Sequence, residues 1–317
     1  MSKNLNSVLV ALALGYQSAS AGSLLDTFGS GANAFTMEFV TIGNPNNAAD
    51  TTGSPNPAGS VAYIYNIGKN EVSRDQITKA NALGSLGITM SDMSNNGGNG
   101  VNRPATGFGW YQAAKYVNWL NTSTGGTAAY KFSGSTFQLW SSTDAGYNAN
   151  NMFRNSLAKY WIASSNEWYK AAYGNLDGTW NNYPTGSNSL PTSVVGGTVA
   201  NTAVYAVSGS IGPADITNAG GLSPYETVAQ GGDVWEWNET AYDGSNNIAG
   251  ENREVRGGAW YDSSSSLDAS TRDGISPTAE GSGYGFRVAS VPEPSTGLLV
   301  VLGLSGLLLK RRKTGTV

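Results

Sequence analysis

The chain has no cysteine and no histidine among its 317 residues. Without cysteine there are no disulfides, no thiolate nucleophile and no Cys-ligated zinc or iron–sulfur site. Without histidine there is no Ser-His-Asp triad, no imidazole base and no His-ligated metal. Catalysis, if any, would rest on Asp, Glu, Lys, Tyr or a bound cofactor. Charge is scarce too, at 13% of residues, about half the usual share of roughly 25%. The net charge of −4 argues against nucleic acid as a partner, because phosphate neutralisation needs a basic surface.

Gly, Asn, Ser and Thr fill the gap, so the chain reads as loop-rich. Nine Trp and sixteen Tyr nevertheless supply enough apolar surface to fold. Between Gly22 and Ser290 the composition is even, with no repeat and no long linker, which predicts one domain. Asn95-Asn-Gly-Gly-Asn-Gly100 and Ser263-Ser-Ser-Ser266 are short loop-like patches.

The two ends differ from this middle. Residues 1–21 carry a basic start, an apolar run over 8–14 and Ala19-Ser-Ala21. That is the pattern of a secretory signal peptide cleaved after Ala21. At the other end Pro292-Glu293-Pro294 precedes an uncharged apolar run over 297–309, and Lys310-Arg311-Arg312-Lys313 closes it. Thirteen residues make a helix of about 20 Å, short for a hydrocarbon core of about 30 Å, although Lys and Arg can snorkel to extend it. The basic end belongs on the cytoplasmic side. Residues 291–317 closely resemble the PEP-CTERM sorting signal. The resemblance implies export to the envelope of a Gram-negative bacterium, a transient or permanent inner-membrane anchor, and processing by an exosortase-type protease. Such proteins accompany extracellular polysaccharide.

Three helices are readable. Ser73-Arg-Asp-Gln76 and Ser164-Ser-Asn-Glu167 are capping boxes. Trp110, Ala113, Ala114, Val117 and Leu120 recur at helical spacing. Strand-like runs cover 35–42, 61–67, 234–237, 254–260 and 285–289. This mixture predicts an irregular α+β fold. The pieces Ile67-Gly-Lys-Asn-Glu-Val72, Trp110-Tyr-Gln-Ala-Ala-Lys-Tyr-Val-Asn-Trp-Leu120, Tyr160-Trp-Ile-Ala-Ser-Ser-Asn-Glu-Trp-Tyr-Lys-Ala-Ala172, Gly232-Asp-Val-Trp-Glu-Trp237, Arg256-Gly-Gly-Ala-Trp260 and Gly285-Phe-Arg-Val-Ala289 come in a known order. Together they resemble the formylglycine-generating enzyme, or sulfatase-modifying factor, family. The resemblance implies a C-type-lectin-like fold over 35–290. Each piece also has a plain structural reading: core aromatics at Trp168, Trp235, Trp237 and Trp260, and arginines at 256 and 287 that hold carboxylates or carbonyls.

The family's formylglycine chemistry uses copper held by two cysteines. Asp262 falls near the first of those positions and Leu267 near the second. Neither is a soft thiolate, so no copper and no zinc is expected. The resemblance also implies structural calcium, with oxygen ligands at Asn201 and the Thr202 carbonyl, and at Asp233, the Val234 carbonyl and Glu236. Two functions stay open. One is a non-catalytic binding or structural module, with exopolysaccharide, another glycan or an envelope protein as partner. The other is an enzyme of unknown type using Asp262, Asp268, Arg272 and Asp273, in the loop that carries the active site in relatives.

Overall fold

The computed structural model describes residues 24–292. The expected signal peptide over 1–21, Glu293, Pro294, the apolar run and the basic end lie outside the described residues. Among the described residues no helix is long and apolar enough to cross a membrane.

Both capping boxes close. The Ser73 hydroxyl accepts from the Gln76 N–H, and Gln76 returns the bond, starting α1 at Arg74–Gly84. Ser164 and Glu167 do the same for α3, Ser165–Tyr173. Between them α2 runs over Trp110–Ser123 and buries Trp110, Ala113, Ala114, Val117 and Leu120 on one face. These residues return to the same side every three or four positions.

The strands form two main sheets. The first contains β1 (Leu24–Phe28), β2 (Phe35–Ile42), β3 (Tyr65–Gly68) and β6 (Tyr160–Ile162), with the last strand, β13 (Val288–Ser290), inserted between β3 and β6. The second orders β11 (Asp273–Ile275), β10 (Arg253–Arg256), β9 (Trp235–Ala241) and β12 (Tyr284–Phe286). Two small pairs are added: β4 (Lys131–Ser133) with β5 (Thr136–Gln138), and β7 (Thr192–Ser193) with β8 (Thr202–Ala203). The main core lies between the first sheet and the helices, with Trp110, Trp168 and Trp237 fully buried.

Several strands depart from the sequence reading. The first half of 61–67 is bent, and only Tyr65–Gly68 pairs. The run over 254–260 stops at Arg256, because Gly257 and Gly258 take φ of +98° and +80°, a region closed to extended L-residues. The run over 285–289 is two strands of different sheets, β12 and β13, which separate at Arg287. Sequence alternation cannot show such a sheet switch.

Candidate functional site

Arg287 stands where the chain passes from one sheet to the other, fully buried. Its Nε and Nη2 donate to Glu236 Oε2 and Oε1 at 2.6 and 2.5 Å. Its remaining N–H groups reach the carbonyls of Gly68, Lys69 and Val228 at 2.8–3.1 Å. Glu236 Oε2 also accepts from Trp168 Nε1 at 2.7 Å. Both Glu236 oxygens are thus engaged, in a bidentate pair that ties the two sheets and α3 together.

Asp233 has a different neighbour. It is fully buried with φ +61°, and its Oδ1 accepts from the Ala214 N–H at 2.6 Å. Its carboxyl hydrogen-bonds that of buried Glu71, the Glu236 charge also acts on it, and buried Asn70 Oδ1 has no hydrogen-bond partner. Burial first, then the adjacent Asp233 and Glu236 charges, holds the Glu71 carboxyl well above the usual range. Burial also pushes Asp233 up to about 7. The folded pair holds a proton over a pH range in which the unfolded chain would release it.

That retained proton fixes the sign of a pH effect. The native state binds more protons than the unfolded state between the ordinary carboxylate range and about 7, so stability falls as pH rises through that window. In EGTA the melting temperature is expected to decline steadily from pH 5 to pH 8. A flat profile would show that Glu71 and Asp233 do not share this site.

Two buried carboxyls that meet are oxygen groups of the kind a hard divalent cation takes. Among the described residues no three acidic, His or Cys side chains are grouped so as to hold a metal ion, so an amide oxygen such as Asn70 Oδ1 would have to complete the set. Two of the other expected ligands are engaged locally. Asn201 Oδ1 accepts from Thr185 Oγ1 at 2.8 Å, and the Thr202 carbonyl accepts from the Gly221 N–H at 2.9 Å. Val234 is buried next to Asp233.

The acidic groups of the 262–273 loop are each engaged locally, and the Asp273 and Asp262 charges both act on the Tyr284 hydroxyl. Asp262 Oδ2 accepts from Trp235 Nε1 at 2.7 Å and from the Ala259 N–H at 2.9 Å. Leu267 is fully buried against Ala203 and Tyr205. Asp268 caps its own turn through Ser270, and exposed Asp273 accepts from the next N–H, of Gly274. Arg272 alone lines a cleft. Its Nη1 meets Glu254 Oε2 at 2.7 Å, and its guanidinium lies 4.2 Å over the Tyr242 ring. Glu254 Oε1 accepts from Arg256 Nε and Ser165 Oγ, both at 2.5 Å. The cleft beside them is about 180 Å³ and includes Asn166, Thr240, Tyr242 and Asp243. Sequence reading placed Glu71 in the 67–72 motif and Glu254 in a strand-like run but gave neither a role; their burial singles them out.

The model of the sulfatase-modifying factor enzyme 1-like domain matches residues 34–291. The PEP-CTERM protein-sorting motif matches residues 290–313. No curated protein sequence matches the chain. Among solved structures, variable protein 1 of Treponema denticola superposes with a TM-score of 0.59 at 20% identity, covering 85% of this chain and 99% of that one. The structure of CarF gives 0.58 at 19% identity, covering 81% and 99%. That of PvdO from Pseudomonas aeruginosa gives 0.53 at 13% identity, covering 87% and 100%. At these identities the three establish a shared fold.

Proposed function

The chain belongs to the sulfatase-modifying factor enzyme 1-like family and carries a PEP-CTERM sorting motif; from that premise we propose that it is an exported envelope protein whose domain is a non-catalytic recognition or structural module. The observation that carries the reading is the fate of the two positions where copper-binding relatives have cysteine. Near the first, Asp262 closes its loop by accepting from Trp235 and Ala259. Near the second, Leu267 has become core. Both positions now serve folding, and the acidic groups of the loop are held by Trp235 and by their own turns. The sorting motif implies export to the envelope of a Gram-negative bacterium and handling by exosortase-type machinery.

The partner we propose is a glycan, and the extracellular polysaccharide is the one at hand for a protein sorted this way. The cleft beside Tyr242 supports it. About 180 Å³ accommodates a single sugar ring. Hydroxyl, amide and carboxylate groups from Ser165, Asn166, Thr240 and Asp243 line it, the donors and acceptors that polyols need. Removing one good hydrogen-bond partner costs about 1–1.5 kcal/mol, so Asp243→Ala is expected to weaken polysaccharide pull-down about tenfold. Unchanged retention of Asp243→Ala, or no retention of the parent protein, would refute the glycan assignment.

Calcium at Glu71, Asp233 and Asn70 is proposed to hold the domain together rather than to act in chemistry. A site filled to 100 times its Kd adds about 2.7 kcal/mol, which raises the melting temperature of a domain this large by roughly 5–10 °C. The shift should appear on adding calcium to EGTA-treated protein. It should also abolish the downward pH profile, since a bound cation displaces the shared proton. No shift in Glu71→Gln together with a full shift in the parent assigns the ion to this pair; no shift in either discards it.

A further inference from the structure

The fold ends in the interior of its first sheet. β13 is hydrogen-bonded on both sides, to β3 and to β6. Val291 still donates to the Lys159 carbonyl at 3.0 Å and accepts from Asn66 Nδ2 at 3.4 Å. The sorting motif therefore follows the domain without a linker. Val291 and Pro292 themselves line a cleft of about 290 Å³, together with Tyr63, Ile64, Arg154 and Trp161.

The rim of this cleft carries four exposed apolar side chains beside the exposed polar Asn148 and Ser156. Tyr63 is 45% exposed, Ile64 41%, Leu157 62% and Val291 41%. Leu157 stands between Ser156 and Ala158, which both line the cleft. Tyr63 turns its hydroxyl inward, where it donates to Glu167 Oε1 at 2.7 Å, and so leaves the carbon edge of its ring outside. Arg154 adds little outward charge. It stacks on Trp161 at 4.4 Å and sits within 4 Å of the buried carboxylates of Glu167 and Glu239.

Chain length decides what this face meets. Six residue steps separate Val291 from Gly297, where the apolar run begins. Fully extended, they span about 21 Å at most. The headgroup layer takes up roughly 6 Å of that. A domain of this size has a radius of gyration of about 18 Å. The reach left beyond the headgroups, about 15 Å, is shorter than that radius, so the domain cannot turn its far side to the bilayer. While the tail is attached, the face around Val291 is the one that meets the membrane.

We propose that Tyr63, Ile64, Leu157 and Val291 form a docking surface that rests on the interfacial layer of a phospholipid bilayer for as long as the C-terminal tail is intact. The proposal rests on the tail acting as a membrane anchor. Four exposed side chains give only weak, reversible affinity, and stable attachment takes two signals. Removal of the tail therefore releases the domain, and the patch by itself does not hold it.

The absence of cysteine makes the test clean, since any introduced thiol is unique. The full chain, carrying Ile64→Cys or Leu157→Cys with an environment-sensitive fluorophore, is reconstituted into vesicles of phosphatidylethanolamine and phosphatidylglycerol containing brominated lipid. Val195→Cys and Val199→Cys, which are 60% and 70% exposed in the β7–β8 region, serve as references. Flotation reports the anchor, and quenching reports the face. Labels at 64 and 157 are expected to lose emission, because side chains at the interfacial depth lie within reach of the brominated chains, while the reference labels keep theirs. A chain that floats without quenching at 64 and 157 overturns the docking surface and leaves the anchor standing. Equal quenching at all four positions also overturns it. A chain that does not float overturns both.

Discussion

Arg287→Met is expected to yield no stably folded domain. The substitution keeps much of the side-chain volume and removes every donor. Glu236 is then left as a buried charge with Trp168 as its remaining donor, and the Gly68, Lys69 and Val228 carbonyls lose their guanidinium partner. Breaking one partner of a buried pair costs about 3–5 kcal/mol. Each stranded carbonyl that water cannot reach adds about 1 kcal/mol or more. Against a total stability of about 5–15 kcal/mol, the sum removes most or all of it. Arg287→Lys should be nearly as damaging, since a point ammonium cannot bridge both Glu236 oxygens. Soluble yield and urea unfolding decide the matter. An unfolding free energy within about 1 kcal/mol of the parent would mean that the sheet junction does not depend on this pair. Adding Glu236→Gln to Arg287→Met should recover part of the loss, because the buried charge then disappears.

The second large effect concerns the tail. Replacing Pro292 and Pro294 by alanine is expected to leave the protein in full-length, membrane-associated form in cells that contain the processing machinery. The parent should accumulate as a shorter product away from the inner membrane. The reason is conformational. A Pro-x-Pro pair holds the chain extended, the shape in which a peptide is recognised by a protease, and here it begins two residues after the last strand, Val288–Ser290. Alanines relax that restriction and favour helix, continuing the apolar segment toward the domain. Fractionation followed by intact-mass measurement tests this. Equal processing of the double variant and the parent would show that the prolines play no part in recognition.

Legibility varied between elements for identifiable reasons. The capping boxes at Ser73 and Ser164 and the buried stripe of α2 follow from local chemistry, and all three formed where the pattern placed them. Strand limits were less legible. The run ending in Trp260 was cut short by the positive φ of Gly257 and Gly258. The run around Arg287 was divided between two sheets. In the site, Asp233 was identified from its motif, yet its carboxylate neighbour, Glu71, lies over 160 residues earlier. No spacing rule connects positions so far apart.

The sequence alone determined the excluded chemistry, the sorting address and the family, because absent residue types and ordered motifs need no coordinates. It also determined the helices, whose bonds are local. Tertiary structure decided which acidic groups are ion-paired and which are not. Glu236 and Glu71 are both buried carboxylates, but Arg287 pairs with one, while the other meets the Asp233 carboxyl. It also decided that the sorting tail leaves from an interior strand, ringed by Tyr63, Ile64 and Leu157. Burial and pairing across the chain are properties of the folded surface, and the linear order of residues does not contain them.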